Sequence, residues 1–504
     1  MTAQQKDILN IIQNSALTYE QQTSQLAKYA ENLIDYPISK DHPFFEYFEK
    51  TMICDLWEGH APYAPRYILP DYSLLMKKGC KFLRLDPPKN LREALHTLLI
   101  FYSHVPSITR FPVYIGQIDE LLEPFIEDEE EAREEIKWFL IHLDRTINDS
   151  FCHANIGPRK TKAGEIILEI LPTLQNVTPN LTLKYDENVT DDSYAQLAIL
   201  SALECANPAF SNNKAYTKLH HGDYGIASCY NALPICGGAY SLSRVRLQRI
   251  AENTKSVDEF FALLKKVVRA MNEFMEAKID FLVEQTPFFK TNFLVKEGFI
   301  DKDRFVGLFG MVGLDECVDT LMSFENKNAK YGVDEEANEM GKRVLQFIED
   351  EVNSFDSKYS KLWNHHNMLH AQVGAQQDEN NTAGVRVSND KELGIYDHIR
   401  HAAEFHQFFP SGVGDYYPFD ETAKRNPQAV LDIYKAAFKQ GMHYISCYGE
   451  NSDLVRVTGY LVKKSDLERY ENGEQISYDT VQYARDAVYE FDILKRKTRN
   501  VKGK

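Results

Sequence analysis

Two segments of the chain repeat apolar residues at the spacing of an amphipathic helix. Residues 127–147 begin with a run of acids, which suits the positive end of a helix dipole, and then place apolar residues every three or four positions. Residues 256–285 combine capping-box spacing between Ser256 and Glu259 with a continuous apolar stripe, which predicts the clearest helix of the chain. The apolar run FFKTNFLV (288–295) that follows is interpreted as a strand.

The last predicted unit is a helix, a strand and a loop. Asn426 can cap a helix with Pro427 at its first position, and the pattern extends to about Gln440, where Gly441 ends it. The run MHYISCY then predicts a buried strand, and the polar loop GENSD separates it from LVRVTGYLV (454–462). Similar alternation elsewhere favours a mixed α/β architecture with a mostly parallel sheet.

Composition and charge narrow the class of protein. The 504 residues are 43% hydrophobic and 12% aromatic, which favours a large folded core over disorder. A formal charge of −17 disfavours binding to nucleic acid or to an anionic membrane. Because the N-terminus lacks a signal-peptide core and no apolar run could span a bilayer, we expect a cytoplasmic protein whose eight cysteines stay reduced.

The motif VRVTGY places Gly459 among apolar neighbours, and two interpretations of that glycine are open. One is a β-turn in which Gly459 adopts a positive φ. The other is a radical site, because loss of an α-hydrogen from glycine leaves a carbon radical conjugated with both adjacent peptide groups. Only glycine lets that centre become planar without a side-chain clash, and burial would shield it from water and oxygen. The apolar setting favours the second interpretation.

Residues 220–251 hold Cys229 and Cys236 in a glycine-containing and largely uncharged stretch. Their spacing is not CxxC, so a zinc site is disfavoured. A cysteine nucleophile aided by His220 or His221 remains open, although no protease-type signature surrounds either thiol. Both cysteines could instead be small buried hydrophobes. A third possibility is a thiol that exchanges a hydrogen atom with Gly459 and then attacks a substrate.

Histidines cluster between residues 365 and 406. His366 and His370 are four positions apart, and His398 and His401 are three apart, so either pair could share a helix face and bind a metal. No HExxH pattern occurs, and polar pocket-lining or capping roles are the simpler alternative. The run FFPSGVGDYYPFD (408–420) predicts a glycine-rich loop of the kind that often contacts substrate. The candidate substrate-binding residues are His220, His221, Asp223, His406 and Ser411.

The stretches SCYNALPICGGAYSLSRV, FFPSGVGDYYPFD and VRVTGYLV together resemble the glycyl radical enzymes, and most of all the YjjI-type glycine radical enzymes. This resemblance extends over nearly the whole chain. It implies a ten-stranded α/β barrel, built from two antiparallel halves of five parallel strands with helices outside. Two loops would meet inside the barrel, one carrying a cysteine and one a glycine. The pattern of residues 1–110 predicts a mainly helical region. With the resemblance, the expected division is that region, a barrel at 111–450 with the cysteine loop near 220–245, and a glycyl radical region with a basic tail at 451–504.

The resemblance also implies roles and partners. Gly459 would store an oxygen-sensitive, post-translational glycyl radical, and Cys229 would form the thiyl radical, with Cys236 as the alternative. A separate radical S-adenosylmethionine enzyme would generate the radical. No metal or nucleotide cofactor is expected in this chain, and the partners would be a small-molecule substrate and a second copy in a homodimer.

Departures from the better-known members restrict the reaction. Neither cysteine lies in the Gly-Cys-x-Glu sequence of the dehydratases, and the two are not adjacent as in pyruvate formate-lyase. The four-cysteine zinc site of the anaerobic ribonucleotide reductases is also missing, since only Cys447 lies near the radical loop. None of these known reactions can therefore be carried over to this chain, and our first expectation is a lyase that cleaves a C–C, C–O or C–N bond. The alternatives are reduction of a ribose-containing compound, a metal-dependent hydrolase using the histidines of 365–406, and an inactive barrel scaffold.

Overall fold

The computed structural model describes residues 1–56, 58–108, 111–371, 381–457, 459–482 and 496–501. The strands in these ranges are β1 (Ile53–Asp55), β2 (Tyr67–Leu69), β3 (Tyr114–Gln117), β4 (His153–Ile156), β5 (Asn180–Tyr185), β6 (Ala209–Asn212), β7 (Tyr224–Ala227), β8 (Asn231–Pro234), β9 (Gly237–Arg246), β10 (Phe305–Val312), β11 (Met368–Ala371), β12 (Tyr416–Phe419), β13 (Tyr444–Gly449), β14 (Leu454–Arg456) and β15 (Leu461–Lys463).

The helices in the same ranges are α1 (Ala3–Gln13), α2 (Tyr19–Glu31), α3 (Phe44–Glu49), α4 (Tyr72–Lys78), α5 (Leu91–Tyr102), α6 (Ile118–Leu122), α7 (Glu129–Thr146), α8 (Lys162–Leu174), α9 (Asp192–Cys205), α10 (Asn213–Leu219), α11 (Leu247–Glu252), α12 (Val257–Asp280), α13 (Phe288–Thr291), α14 (Phe293–Lys296), α15 (Leu314–Phe324), α16 (Glu335–Asn353), α17 (Ile395–His406), α18 (Glu421–Arg425), α19 (Pro427–Gln440) and α20 (Lys464–Glu471).

Ten of the strands form the barrel. Strands β3, β4, β5 and β6 are parallel neighbours, and β2 packs beside β3. Strands β9, β10 and β11 form a second parallel series, and β12 and β13 form a parallel pair. The two halves meet through antiparallel pairs, β6 with β13 on one side and β2 with β9 on the other. The predicted barrel of two antiparallel halves is therefore confirmed.

Helices cover the outside of the barrel because the outward-facing residues of its strands are apolar and need a buried surface to pack against. Val245 of β9 and Phe309 of β10 lie in the same buried cluster as Met271 and Phe274 of α12. That cluster places the predicted apolar stripe of α12 against the outer surface of the second half.

Strand β2 belongs to the stretch predicted as a mainly helical N-terminal region, and it contributes directly to the barrel. The division of the chain at 110 and 450 stays a prediction.

The helix predictions agree closely with the structure. The side chain of Ser256 accepts a hydrogen bond from the backbone N–H of Glu259 at the start of α12. Asn426 caps α19 in the same way, and Gly441 ends that helix with a φ of 111°. The acidic start of residues 127–147 becomes α7, which Asp128 caps.

The strand predicted at FFKTNFLV is wrong. These residues form two short helices, α13 and α14. Pro287 precedes the first, and the side chain of Asn292 accepts a hydrogen bond from Leu294 N at the start of the second. A short apolar run buries equally well in either conformation, so its pattern cannot distinguish a strand from a helix.

Among the described residues, none of the helices combines the length and the apolar character needed to cross a membrane.

Candidate active site

A hairpin of β7 and β8 carries the first candidate residue into the barrel. The two strands pair in antiparallel register, and Ser228, Cys229 and Tyr230 form the tip. Asn155 on β4 anchors the hairpin, because its amide oxygen accepts from Ile226 N (2.9 Å) and its amide nitrogen donates to Ile226 O (3.1 Å). The Cys229 side chain is consequently buried, with 7% of its surface exposed.

A second hairpin, of β14 and β15, carries the glycine. Its last strand pair joins Arg456 to Leu461, so the turn between them is tight. Ser150 holds this hairpin by accepting from Leu461 N (3.2 Å) and donating to Leu461 O (2.9 Å). The ring of Tyr460 packs on Phe151 with centroids 5.1 Å apart. Gly459 is buried within this turn.

The two hairpin tips are in direct contact. A Cβ atom placed on Gly459 would lie 2.5 Å from Cys229 Cβ and 2.7 Å from both Cys229 Cα and C. Because a carbon–carbon bond is about 1.5 Å long, the Gly459 α-carbon lies within about 4 Å of Cys229 Cβ. The φ of Gly459 is outside the left-handed region. Close approach to Cys229, and not a turn conformation, therefore requires glycine at this position.

Two side chains donate to the carbonyl oxygen of Gly459. One is the amide of Asn180 on β5, and the other is Arg456 Nη1 at 3.3 Å. Arg456 is fully buried, and no carboxylate in the described ranges lies within ion-pair distance of its guanidinium group. Burial, followed by the charge of Arg456, lowers the pKa of the neighbouring His153 to about 3, so that imidazole is neutral. Gly459 thus lies among polar groups, and the nearby imidazole of His153 carries no charge.

The glycine-rich loop ahead of β12 fixes the cysteine hairpin from the other side. The carbonyl oxygen of Ser411 accepts from Ala232 N at 2.8 Å. A Cβ on Gly412 would lie 2.4 Å from the carbonyl oxygen of Tyr230, and one on Gly414 would lie 2.1 Å from the Tyr230 ring. These glycines therefore allow the loop to pack directly against the residue that follows Cys229.

The alternative thiol, Cys236, lies at the base of the same hairpin. Seven residues of extended chain correspond to about 20 Å, so it is far from the tip. Its Sγ lies 3.8 Å from the carbonyl oxygen of Gly298, and its own carbonyl accepts from Asp301 N. Cys236 is half-buried and lines a surface cavity of about 570 Å³. The structure therefore brings Gly459 together with Cys229 and not with Cys236.

Three of the substrate-binding candidates also lie at the base of the hairpin. His220 is buried, and its Nε2 donates to Pro410 O at 3.2 Å. His221 and Asp223 are exposed. Since all three precede β7, they are at the opposite end of the hairpin from Cys229. The structure does not bring them to the Gly459–Cys229 contact.

The other two candidates are structural neighbours of the barrel. His406 is buried on α17, where its Nδ1 accepts from His443 N at 3.1 Å. The hydroxyl of Ser411 donates to Leu369 O (2.8 Å) and accepts from His370 Nδ1 (2.9 Å). Ser411 therefore ties the glycine-rich loop to β11.

Burial lowers the pKa of five described histidines to about 3 or 4: His153, His220, His401, His406 and His443.

The histidine pairs do not form a metal site in the described part of the chain, where no three His, Cys, Asp or Glu side chains converge closely enough to hold an ion. His370 lies on strand β11 and not on a helix with His366. His398 donates from Nε2 to Asp415 at 3.0 Å, and His401 packs edge-on against Tyr331.

Sequence reasoning missed the polar residues that hold both hairpins. Asn155 and Asn180 lie on strands β4 and β5, which are buried along their whole length. The signal was present as alternation, since polar residues recur at every second position of both strands: His153, Asn155, Asn180, Thr182 and Lys184. In a buried strand such alternation indicates a polar barrel interior.

Comparison with solved structures defines the class first. The chain is similar to the anaerobic ribonucleotide reductase of Thermotoga maritima with a TM-score of 0.69 at 13% identity, covering 92% of this chain and 94% of that one. It is similar to a glycyl radical enzyme of Archaeoglobus fulgidus with a TM-score of 0.68 at 12% identity (91% and 83% covered). The hydroxyproline dehydratase of Clostridioides difficile gives 0.65 at 13% identity (98% and 88%). The fold is that of the glycyl radical enzymes.

Sequence comparison then gives the family. The glycyl radical enzyme YjjI-like family matches residues 17–499. A protein of Haemophilus influenzae is 43% identical over all of this chain and 99% of its own length. The YjjI protein of Escherichia coli is 40% identical over 99% of this chain and 96% of its own. The chain therefore belongs to the YjjI-like glycyl radical enzyme family, as predicted from its motifs, and that family uses a glycyl radical.

Proposed function

We propose that Gly459 stores the radical and that Cys229 converts it into a thiyl radical that attacks a small polar substrate. The contact between the Gly459 α-carbon and the backbone of Cys229 carries this proposal. In the first step the S–H bond of Cys229 breaks and its hydrogen atom forms a C–H bond at Gly459. The thiyl radical then takes a hydrogen atom from a substrate carbon.

The substrate radical fragments by loss of a C–C, C–O or C–N bond, and the product radical recovers its hydrogen atom from the Cys229 thiol. After that transfer Cys229 recovers a hydrogen atom from Gly459, which restores the glycyl radical. The lyase cycle therefore leaves no net change in hydrogen atoms on the enzyme and needs no external reductant. Reduction of a ribose-containing compound would need a reductant, and the likeness to a ribonucleotide reductase supports only a shared fold. Lyase chemistry is therefore the function that we favour.

The proposal includes the partners of a glycyl radical enzyme. A radical S-adenosylmethionine enzyme removes the first hydrogen atom from Gly459, and the chain works as a homodimer in the cytoplasm. A metal-dependent hydrolase and an inactive scaffold are the competing functions. Metal analysis of the purified protein tests the first of them, since stoichiometric zinc or manganese lost in His366→Ala would favour it.

The decisive experiment needs no substrate. After anaerobic activation, electron paramagnetic resonance should show a glycine-centred doublet that is absent in Gly459→Ala. In D₂O the Cys229 thiol acquires deuterium and returns it to the glycine, so the doublet should collapse to a singlet. Cys229→Ala should keep the doublet in D₂O, whereas the matched variant Cys236→Ala should lose it as the wild type does.

Either of two results would overturn the assignment of the thiol. One is a doublet that collapses in Cys229→Ala at the wild-type rate, and the other is a doublet that persists only in Cys236→Ala. A silent spectrum, under conditions that activate a control enzyme, would favour the scaffold. Exposure of the activated protein to air should also cut the chain near residue 459.

A further inference from the structure

Arg386 is held in a fixed position beside the cysteine hairpin. Its Nε and Nη2 groups both donate to the carbonyl oxygen of Gly414, at 2.7 and 2.5 Å. The guanidinium plane lies over the ring of Tyr416, 4.8 Å from the centroid. Nε and one N–H of Nη2 are thus used by the protein, whereas Nη1 makes no hydrogen bond to a described residue, which leaves the Nη1–Nη2 edge available to a ligand.

Through Gly414, Arg386 adjoins the residue that follows the reacting thiol. Gly414 packs against the ring of Tyr230, the residue after Cys229. Burial raises the pKa of the hydroxyls of Tyr230 and Tyr444, and the charge of Arg386 opposes the rise at both. The Cys229 thiol adds to the rise in the pKa of the same two hydroxyls, so Tyr230 and Tyr444 lie within electrostatic range of both groups.

Arg386 forms no ion pair among the described residues, although its charge is one of those that lower the pKa of Asp415. Asp415, the nearest acid in the loop, already pairs with Arg496 (2.8 Å) and His398 (3.0 Å). The described carboxylates are all beyond ion-pair distance of Arg386, whereas Arg66 pairs with Glu58. Arg386 is half-buried and shares Asp415 with two closer partners, so a ligand that brings a second negative charge to its guanidinium group would be bound favourably.

We propose that Arg386 binds a carboxylate group of the substrate through its second edge, and so selects anionic over neutral substrates. Two parallel N–H groups match the two oxygens of a carboxylate, and such bidentate pairs add orientation as well as affinity. A carboxylate fixed there would orient the rest of a small molecule toward Cys229. This inference rests on the proposed radical function of that cysteine.

The test compares molecules that differ only in charge. Calorimetry of the unactivated full-length protein would measure the binding of lactate against propane-1,2-diol, and of glycerate against glycerol, with inorganic phosphate as a second anion. We expect the carboxylates to bind the wild type more tightly than the alcohols. Arg386→Gln should weaken carboxylate binding about 10- to 100-fold, and Arg386→Lys should recover part of it.

Arg343→Gln is the matched control, because Arg343 also lies over an aromatic ring, 4.5 Å from the centroid of Phe261, but on the exposed surface. It should leave carboxylate binding unchanged. Carboxylate affinity within twofold of wild type in Arg386→Gln would overturn the proposal. So would equal affinity for the alcohols, tighter binding of phosphate than of any carboxylate, or no carboxylate binding up to about 10 mM.

The same variants separate this inference from the radical function. Arg386→Gln should still form the glycyl doublet and collapse it in D₂O, since neither step involves substrate. Loss of carboxylate binding with a normal doublet supports the role of Arg386. A normal doublet with unchanged carboxylate binding refutes that role alone, whereas an absent doublet in the wild type refutes the radical function.

Discussion

Replacement of Gly459 by alanine tests the contact on which the proposed chemistry depends. The added methyl carbon would lie 2.5 Å from Cys229 Cβ and 2.7 Å from two backbone atoms of the same residue. Backbone atoms of a hairpin anchored at both ends cannot swing aside as a flexible side chain can. The clash should therefore be relieved by opening of the β14–β15 hairpin, and not by local repacking.

The size of the effect follows from two opposing contributions. Overpacking a buried site typically costs about 1–3 kcal/mol. Alanine at a glycine whose φ suits an L-residue recovers about 0.4–1 kcal/mol, because the open chain loses conformational freedom. The net cost of docking the hairpin is then about 1–2 kcal/mol, which raises the open fraction about 5- to 30-fold.

Hydrogen exchange measured by mass spectrometry on the unactivated protein reads this opening directly. The reporter amides are Leu461 N–H, which donates to Ser150, and Val457 N–H, which donates to Tyr460 O. Peptides covering 454–463 should exchange about 5- to 30-fold faster in Gly459→Ala than in the wild type. Peptides from the outer helices should be unchanged.

Two further variants make the result specific. Gly394→Ala is the control, because its φ is −58° and an added Cβ meets nothing within 4 Å. Cys229→Gly removes the atom of the shortest contact and should partly restore protection in Gly459→Ala, whereas Cys229→Ala keeps that atom and should not. If Gly459→Ala exchanges within twofold of the wild type, the hairpins are not in the contact described.

Three other perturbations have definite expected outcomes. The five buried histidines have folded pKa values below the ordinary 6.5, so the unfolded chain binds more protons in acid and stability falls as pH drops from about 6.5 toward 4. Each should contribute about 1 kcal/mol of loss between pH 6.5 and 5.5, and thermal unfolding of His401→Phe should depend less on pH than that of the wild type; an equal slope would contradict this. Asn180→Leu removes a donor worth about 1 kcal/mol from the Gly459 carbonyl, so the glycyl doublet should decay about fivefold faster, and an unchanged lifetime would count against that hydrogen bond. Gly414→Ala places a methyl group 2.1 Å from the Tyr230 ring, so peptides of the cysteine hairpin should lose exchange protection, and full protection would show that the loop does not clamp it.

Local signals in the sequence predicted local structure well. Asn426 and Gly441 bound α19 because capping and the left-handed end of a helix depend on single residues and their neighbours. The apolar stripe of 256–285 predicted α12, although the final turn, Phe281–Gln285, is a π-helix. The motif around Gly459 predicted the family, since its residues are specific and close together.

Contacts between distant segments could not be predicted in this way. The hydrogen bond from Asn180 to Gly459 joins residues 279 positions apart. Neither segment contains a local sequence signal that would predict the other as its partner. The choice of Cys229 over Cys236 depended on resemblance, because both thiols lie in the same uncharged stretch. Only the hairpin, which places one at its tip and the other at its base, distinguishes their surroundings.

One pair of strands sets the geometry of the whole site. Asn155 on β4 anchors the cysteine hairpin, and Asn180 on β5 contacts the glycine turn. In the parallel ladder Asn155 lies opposite Thr182, and Asn180 lies opposite His153. Along the paired strands β4 and β5, Asn155 and Asn180 are therefore two residues apart and point to the same side of the sheet. A shift of one residue in the β4–β5 register would turn one of the two side chains out of the barrel. The distance between thiol and glycine thus depends on strand register in the rigid barrel, and not on the stability of either hairpin alone.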